Sequence, residues 1–171
     1  MTSYVALLRA VNVGGTGKMP MQDLVAMCEK LGFTKVKTYI ASGNVVFQSR
    51  KSEAAVQSAL ETAMEKYAGK PVGVMVRTPD ELQQVLADNP FPKAEPNRVV
   101  AIFLASAPPK DALRAVTGQA DDEEVALGKR EIYVKYGAGM AHSKLKIPAA
   151  KTGTARNMNT VAKLAEMSAA L

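Results

Sequence analysis

The sequence predicts an α+β fold made of two ferredoxin-like units, each in the order β-α-β-β-α-β, with antiparallel sheets and helices packed on one face. Three observations predict it. Residues 1–77 run through that order once, residues 99–171 repeat it as β-α-β-β-α, and residues 78–98 form a capped helix and a linker between them. The two units share this pattern and not residue identities. A chain of 171 residues with 47% apolar composition can bury a core of ordinary size.

The first unit opens with a strand and a helix. Residues 4–8 are a compact apolar run of strand length. A helix is predicted to start near Pro20, because proline suits the first helical turn, and to stop at Gly32. Its apolar positions recur at helical spacing: Met21, Leu24, Val25, Cys28 and Leu31. Cys28 is therefore expected to be a buried, unreactive thiol.

A hairpin, a helix and a last strand complete the first unit. Residues 36–40 and 45–47 are β-rich and flank a turn at Ser42, Gly43 and Asn44. Ser52 is the predicted N-cap of the second helix, whose apolar face is Val56, Leu60, Met64 and Tyr67. Residues 71–76 form the fourth strand. Tyr39 and Phe47 are expected in the core or as a hairpin pair, not as a surface for base stacking.

A strong helix start introduces the second half of the chain. Thr78 and Glu81 have the spacing of a capping box, with Pro79 at the first helical position. The proline-rich segment 90–96 follows as a linker. A strand is predicted at 99–104, a short helix at 110–116, and a hairpin from 124–127 and 132–134. From residue 143 onward the chain is predicted to be mostly helical, with breaks at Pro148 and Gly153.

Composition narrows the classes of function. The formal net charge is +6, which favours an anionic partner, but the lysines and arginines are spread along the chain.

One cysteine and one histidine, His142, leave no internal disulfide and no zinc site, and no cofactor is predicted. The chain shows no secretory leader and no apolar run near the ~20 residues of a membrane span, so we expect a cytoplasmic protein without membrane contact.

The glycine-rich segment 14–18 follows a strand and precedes a helix, as phosphate-binding loops do. It is no Walker A motif, because Asn12 stands where glycine is needed and Met19 where a hydroxyl is needed, and the glycine spacing of a dinucleotide fold is also missing. Backbone N–H groups near a helix start, flanked by Arg9 and Lys18, could hold an anion. The alternative is a plain strand-to-helix connection.

Residues 152–160 are the most polar stretch of the chain. Thr154 or Asn157 could cap the helix that follows. Alternatively, Arg156 and the helix-end amides form a second anion site, to which Lys144, Lys146 and Lys151 add positive charge. The acidic run 121–124 lacks the alternation of a calcium loop and is predicted to be a solvated loop.

Several blocks of the sequence resemble a bacterial family catalogued as domain of unknown function 1697 (DUF1697). The resemblance rests on LLRAVNVGG at 7–15, KMPM at 18–21, YIASGNVVF at 39–47, SKL at 143–145 and TARNMNTVAKL at 154–164. The family usually has a second threonine where Ala155 stands and an aromatic residue where Met158 stands. The resemblance implies a duplicated ferredoxin-like fold and supplies no activity.

The leading hypothesis is a protein that binds a small anionic or phosphorylated ligand. Its predicted site joins the segment after the first strand to the C-terminal segment, through Arg9, Asn12, Gly14, Gly15, Lys18, Asn44, Arg156 and Asn157. A nucleic-acid binder using a sheet face and the basic C-terminal segment is an alternative that the scattered charge does not favour. The third hypothesis is a small enzyme acting on a nucleotide or phosphorylated metabolite. No catalytic residue is assigned, and the oligomeric state is left open.

Overall fold

The computed structural model describes residues 1–9 and 19–171. Within them the protein is α+β, as predicted, with two four-stranded antiparallel sheets and four α-helices. The chain divides into two compact units, one of Met1–Leu82 together with Lys163–Leu171, the other of Gln83–Ala162. None of the helices in the described ranges is long and apolar enough to cross a membrane.

The first sheet has the strand order β2-β3-β1-β4, with every neighbouring pair antiparallel. Its strands and the two helices that connect them are β1 (Thr2–Leu8), α1 (Met21–Lys30), β2 (Thr34–Thr38), β3 (Asn44–Ser49), α2 (Glu53–Ala68) and β4 (Val74–Arg77). The helix α3 (Pro79–Ala87) follows directly. These bounds agree closely with the elements predicted from the sequence.

One face of the first sheet packs against α1 and α2. Alternate residues of β1, Tyr4, Ala6 and Leu8, share one cluster with residues of both helices, namely Leu24 and Cys28 of α1 and Val56, Leu60 and Met64 of α2. Tyr67, the fourth residue predicted on the apolar face of α2, is 45% exposed and lies outside this cluster. The rings of Phe33 and Phe47 stack in it, with centroids 4.4 Å apart. Phe47 is thus a core residue, as expected, and burial raises the pKa of the Cys28 thiol to about 12.

Two predicted helix caps, at Ser52 and Thr78, are confirmed. Ser52 accepts the N–H of Ala55 at 3.2 Å. At α3, Glu81 donates its N–H to the Thr78 hydroxyl at 3.2 Å, while the Glu81 carboxylate accepts the Thr78 N–H at 2.9 Å. Both backbone donors of this capping box are therefore satisfied reciprocally.

The second sheet has the order β6-β7-β5-β8, again with all neighbours antiparallel. Its strands are β5 (Val99–Phe103), β6 (Glu124–Leu127), β7 (Glu131–Lys135) and β8 (Thr154–Asn157), and α4 (Met158–Ala169) follows β8. Between the strands the chain forms only short 3-10 turns, at Ala112–Ala115, Met140–His142 and Pro148–Ala150. The helix predicted at 110–116 is reduced to the first of these turns.

The prediction of a mostly helical segment from residue 143 onward is wrong before α4. Residues 154–157 form β8, which pairs with β5 so that Ile102 lies opposite Ala155 and Ala101 opposite Arg156. The strand forms because β5 lies between β7 and β8 and offers its backbone groups on that side. That pairing partner is some fifty residues away in the chain, and a local pattern cannot report it.

Candidate functional site

One end of the first sheet brings together two residues of the predicted site, Arg9 and Asn44. There β1 and β2 finish, while β3 and β4 begin. The N–H of Leu8 donates to the carbonyl oxygen of Gly43 at 2.9 Å, and the N–H of Arg9 donates to that of Gly73 at 2.9 Å. Arg9 therefore lies between the turn at residues 39–43 and Gly73. We call these residues together the Arg9 end.

Arg9 is an exposed residue whose side chain runs past Gly73. A Cβ placed on Gly73 would be 3.5 Å from both the Cβ and the Cδ of Arg9. These are ordinary van der Waals distances, so the aliphatic stem of Arg9 lies directly alongside position 73. A guanidinium on an exposed stem can offer its planar fork of N–H donors to a phosphate or carboxylate.

Asn44, the other described residue of the predicted first-unit site, is fully buried and braces the turn. Its Nδ2 donates to the carbonyl oxygen of Tyr39 at 3.1 Å and to the hydroxyl of Ser42 at 3.0 Å. The N–H of Tyr39 in turn donates to the carbonyl oxygen of Asn44 at 3.1 Å. The Asn44 amide group thus fixes the shape of the turn beside Arg9.

The glycine-rich part of the predicted site lies outside the described residues. Asn12, Gly14, Gly15 and Lys18 all fall between Arg9 and Met19, the two described residues that flank this segment. The chain enters the segment directly from Arg9. Of the residues predicted on this side of the site, the structure brings Arg9 and Asn44 to one end of the sheet.

The C-terminal pair of the predicted site belongs to β8. Arg156 is 9% exposed, and its Nη1 donates to the Thr154 hydroxyl at 2.6 Å and to the carbonyl oxygen of Ala155 at 2.9 Å. Burial lowers the pKa of this guanidinium to about 10, because water no longer solvates its charge. Asn157 caps α4, accepting the N–H of Thr160 through Oδ1 at 2.9 Å. Thr154, the other predicted cap, is a strand residue.

A buried arginine of the same kind ends the last strand of the first unit. Arg77 on β4 is 1% exposed, and its Nη1 donates to the carbonyl oxygen of Val76 at 2.9 Å. In both units the arginine is followed at once by the residue that caps the next helix, Thr78 or Asn157. This correspondence was not predicted from the sequence, although both copies have the same order of strand, arginine, capping residue and helix.

The second unit contains a cavity of about 270 Å³ that no sequence pattern indicated. Its lining comes from three stretches of chain: Gly118, Ala120, Asp122 and Glu123, then Gly137 and Gly139, then His142, Ser143 and Lys144. No group of three or more His, Cys, Asp or Glu side chains within residues 1–9 and 19–171 could hold a metal ion.

Glu123, in the wall of this cavity, corrects the prediction of a solvated acidic loop at 121–124. It is 4% exposed, and its Oε1 accepts the N–H of Ala120 at 2.8 Å while its Oε2 accepts the hydroxyl of Ser143 at 2.5 Å. The carboxylate is buried because these donors replace water at both oxygens. Its role is to hold the turn at 120–123 and the segment at Ser143 together.

Comparison with known proteins identifies relatives without naming an activity. The family described as "Protein of unknown function (DUF1697)" matches residues 1–133. A conserved bacterial protein from Streptococcus pneumoniae, SP0830, has a similar solved structure, with a TM-score of 0.80 and 26% sequence identity over 97% of this chain and 98% of that one. No curated protein matches the sequence. The match to the family includes the Arg9 end and the glycine-rich segment, and it stops before the C-terminal blocks of the resemblance.

Proposed function

Because the chain belongs to the DUF1697 family of proteins of unknown function, we propose a function from the chemistry of the Arg9 end: it binds a small anionic or phosphorylated ligand. The observation that carries the proposal is the position of Arg9. It is an exposed arginine at a sheet end, between a braced turn and Gly73, and it directly precedes the glycine-rich segment.

Three properties of the chain support an anion at this end. The Arg9 side chain supplies a permanent positive charge with several N–H donors. The neighbouring turn carries the Ser42 hydroxyl and is held in one shape by Asn44, so the surface beside Arg9 is preorganised. The whole chain carries a formal net charge of +6, which attracts anions at long range.

The contribution of Arg156 and Asn157 to the same site remains a prediction. Their described contacts give each a structural role, since Asn157 caps α4 and Arg156 bonds within β8. The ligand proposal does not depend on them. Variants of Arg156 test their contribution separately.

Titration calorimetry with inorganic phosphate at low salt tests the proposal. We expect Arg9→Ala to weaken binding at least about tenfold, since a charge-assisted hydrogen bond contributes roughly 1.5–3 kcal/mol. Arg50→Ala is the matched control: it removes the same charge from an exposed residue directly after β3, at the opposite end of the same sheet. Equal losses in the two variants, or no binding by the unaltered protein, would contradict the proposal.

Arg156→Lys keeps the charge and changes the hydrogen-bonding fork, so it isolates the C-terminal contribution. A loss of phosphate affinity comparable to that of Arg9→Ala, with the unfolding midpoint unchanged, would support a site that includes Arg156. Unaltered affinity would restrict the site to the first unit.

The two alternatives from the sequence remain predictions. A nucleic-acid binder needs an accessible sheet face, and every residue of β1 from Tyr4 to Leu8 is buried. Binding of single-stranded RNA or DNA that falls steeply with salt would favour that alternative. Turnover of a nucleotide or a phosphorylated metabolite would favour the enzyme.

For the architecture, we propose that the two units derive from one ferredoxin-like plan by duplication. Both sheets have equivalent strand order and pairing. In each, the last strand contains a buried arginine, and the next residue caps the helix that follows. The second unit departs from the plan, since 3-10 turns stand where the first unit has α1 and α2.

A further inference from the structure

Ile40 in the turn of the Arg9 end has a conformation that its side chain disfavours. Its φ is +51°, in the left-handed region, and its side chain is 54% exposed. The Cβ of an L-residue crowds the backbone in that region, and a β-branched residue there is an outlier. Asparagine or glycine is the usual choice at such a position. The turn therefore places a β-branched residue in a backbone conformation that such residues rarely adopt.

The described fold shows what maintains this conformation. Asn44 holds the carbonyl of Tyr39 and the hydroxyl of Ser42, on either side of Ile40, and its own backbone pairs with Tyr39. The strain is thus imposed by a buried side chain and is part of the folded turn. Because about half of the Ile40 surface remains exposed, burial of its apolar side chain contributes less to stability than burial of a core isoleucine would. Backbone strain and apolar exposure at one residue point to a role in binding.

We infer that Ile40 is an apolar contact for the ligand of the Arg9 end, so that this end prefers a phosphate ester carrying an apolar or aromatic group to phosphate alone. The inference rests on the proposed function, in which Arg9 binds the anionic group of the ligand. Ile40 and Arg9 belong to the same end of one sheet, where the turn following β2 and the end of β1 are joined by the bond from Leu8 to Gly43. A ligand with a charged and an apolar part can use both.

Lys35 provides a matched control within the same unit. Its φ is +53°, it is exposed, and it lies in β2 where the pairing with β3 shifts between Thr34 and Lys37. A bulge of this kind explains its conformation without any ligand. Lys35→Asn and Ile40→Asn therefore relieve the same type of strain, but only the second removes the apolar contact.

The experiment compares inorganic phosphate with phenyl phosphate by titration calorimetry. We expect the unaltered protein to bind phenyl phosphate about tenfold more tightly, a gain that corresponds to roughly 50 Å² of apolar surface buried by the ring. Ile40→Asn should remove most of that ratio, because it removes the apolar contact and keeps the positive charge of Arg9. Lys35→Asn should keep the ratio, even if loss of its charge weakens both ligands.

Thermal unfolding provides the second readout, in which Ile40→Asn and Lys35→Asn both raise the midpoint because asparagine tolerates a left-handed backbone. A lower midpoint for Ile40→Asn would overturn the strain argument and the inference with it. Phosphate binding that depends on Arg9, with no preference for phenyl phosphate, would overturn the inference and leave the proposed function standing. If neither compound binds, the proposed function fails.

Discussion

The two sheets have equivalent strand order but connect their strands differently. In the first unit α1 and α2 connect the strands and cover one face with aliphatic and aromatic side chains. In the second unit irregular segments and 3-10 turns make the connections. The backbone there approaches itself closely, since a Cβ on Gly118 would lie 2.0 Å from the carbonyl oxygen of Lys144. An isolated antiparallel bridge between Thr117 and Lys146 holds that approach.

The difference indicates that similar sheets are stabilised by different means. A helix-covered face depends on the volume of interlocking side chains, so loss of volume is its main vulnerability. The loop-covered face of the second sheet also packs aliphatic side chains, among them Leu145 and Ile147, and its connections add close backbone contacts such as the one at Gly118. Both units should therefore be sensitive to truncation, and the second should in addition be sensitive to an added methyl group at Gly118.

Truncation of the first core should have the largest effect. Phe47→Ala removes a fully buried ring that stacks on Phe33, and we expect a loss of about 3–5 kcal/mol in the free energy of unfolding. Tyr67→Ala is the control, because Tyr67 is 45% exposed and should cost much less. Urea unfolding measures both, and similar losses would contradict the importance of packed volume in this unit.

Enlargement in the second unit comes next. Gly118→Ala adds a Cβ against a backbone oxygen at a φ of +72°, and we expect a cost of about 3 kcal/mol. Gly69→Ala in the first unit has nearly the same φ, +74°, but nothing within 4 Å, so it should cost only about 1 kcal/mol. If the two variants lose the same stability, backbone crowding does not distinguish the units.

Capping residues test whether the units repeat each other in detail. Thr78→Ala and Asn157→Ala each leave a helix N–H without its side-chain acceptor and should each cost about 1 kcal/mol. Ser58→Ala, at an exposed position within α2, should change little. A loss of stability in Thr78→Ala with none in Asn157→Ala would show that the two strand ends share a geometry but that only one cap contributes to stability.

The smallest effect at neutral pH concerns Cys28, which probes the first core alone. Its thiol pKa is about 12 in the folded protein and near 9 in the unfolded chain. Below pH 9 both states keep the proton; above it only the unfolded chain ionises, so stability falls by about 1 kcal/mol for each further pH unit. The unfolding free energy of unaltered protein and Cys28→Ala, measured from pH 8 upward, should converge. Parallel curves would contradict the burial of this thiol.

Local signals explain what the sequence could predict. The capping box at Thr78, the cap at Ser52 and the helical spacing of α1 each depend on neighbours within a few residues, and all three were correctly predicted. The strand β8 was missed because its stability comes from pairing with β5. The burial of Glu123 was missed for the same reason, since one of its two donors is the distant Ser143.

The candidate site was predictable to a smaller extent. Arg9 and Asn44 were singled out and lie at one end of a sheet, but the role of Asn44 in bracing the turn required the hydrogen bonds to be seen. The strain at Ile40 has no signature in residue type, because only the backbone angle shows it. The repeated arginine and cap could have been found by aligning the ends of the two units.

The most direct test of where the ligand binds is a backbone amide NMR titration with phenyl phosphate. It distinguishes the two units, because the Arg9 end and the cavity near His142 have separate reporters. We expect shifts that concentrate at Arg9, Gly43 and Gly73 and disappear in Arg9→Ala. Shifts that concentrate instead at Gly118, Gly137 and Gly139, or that persist in Arg9→Ala, would contradict ligand binding at the Arg9 end.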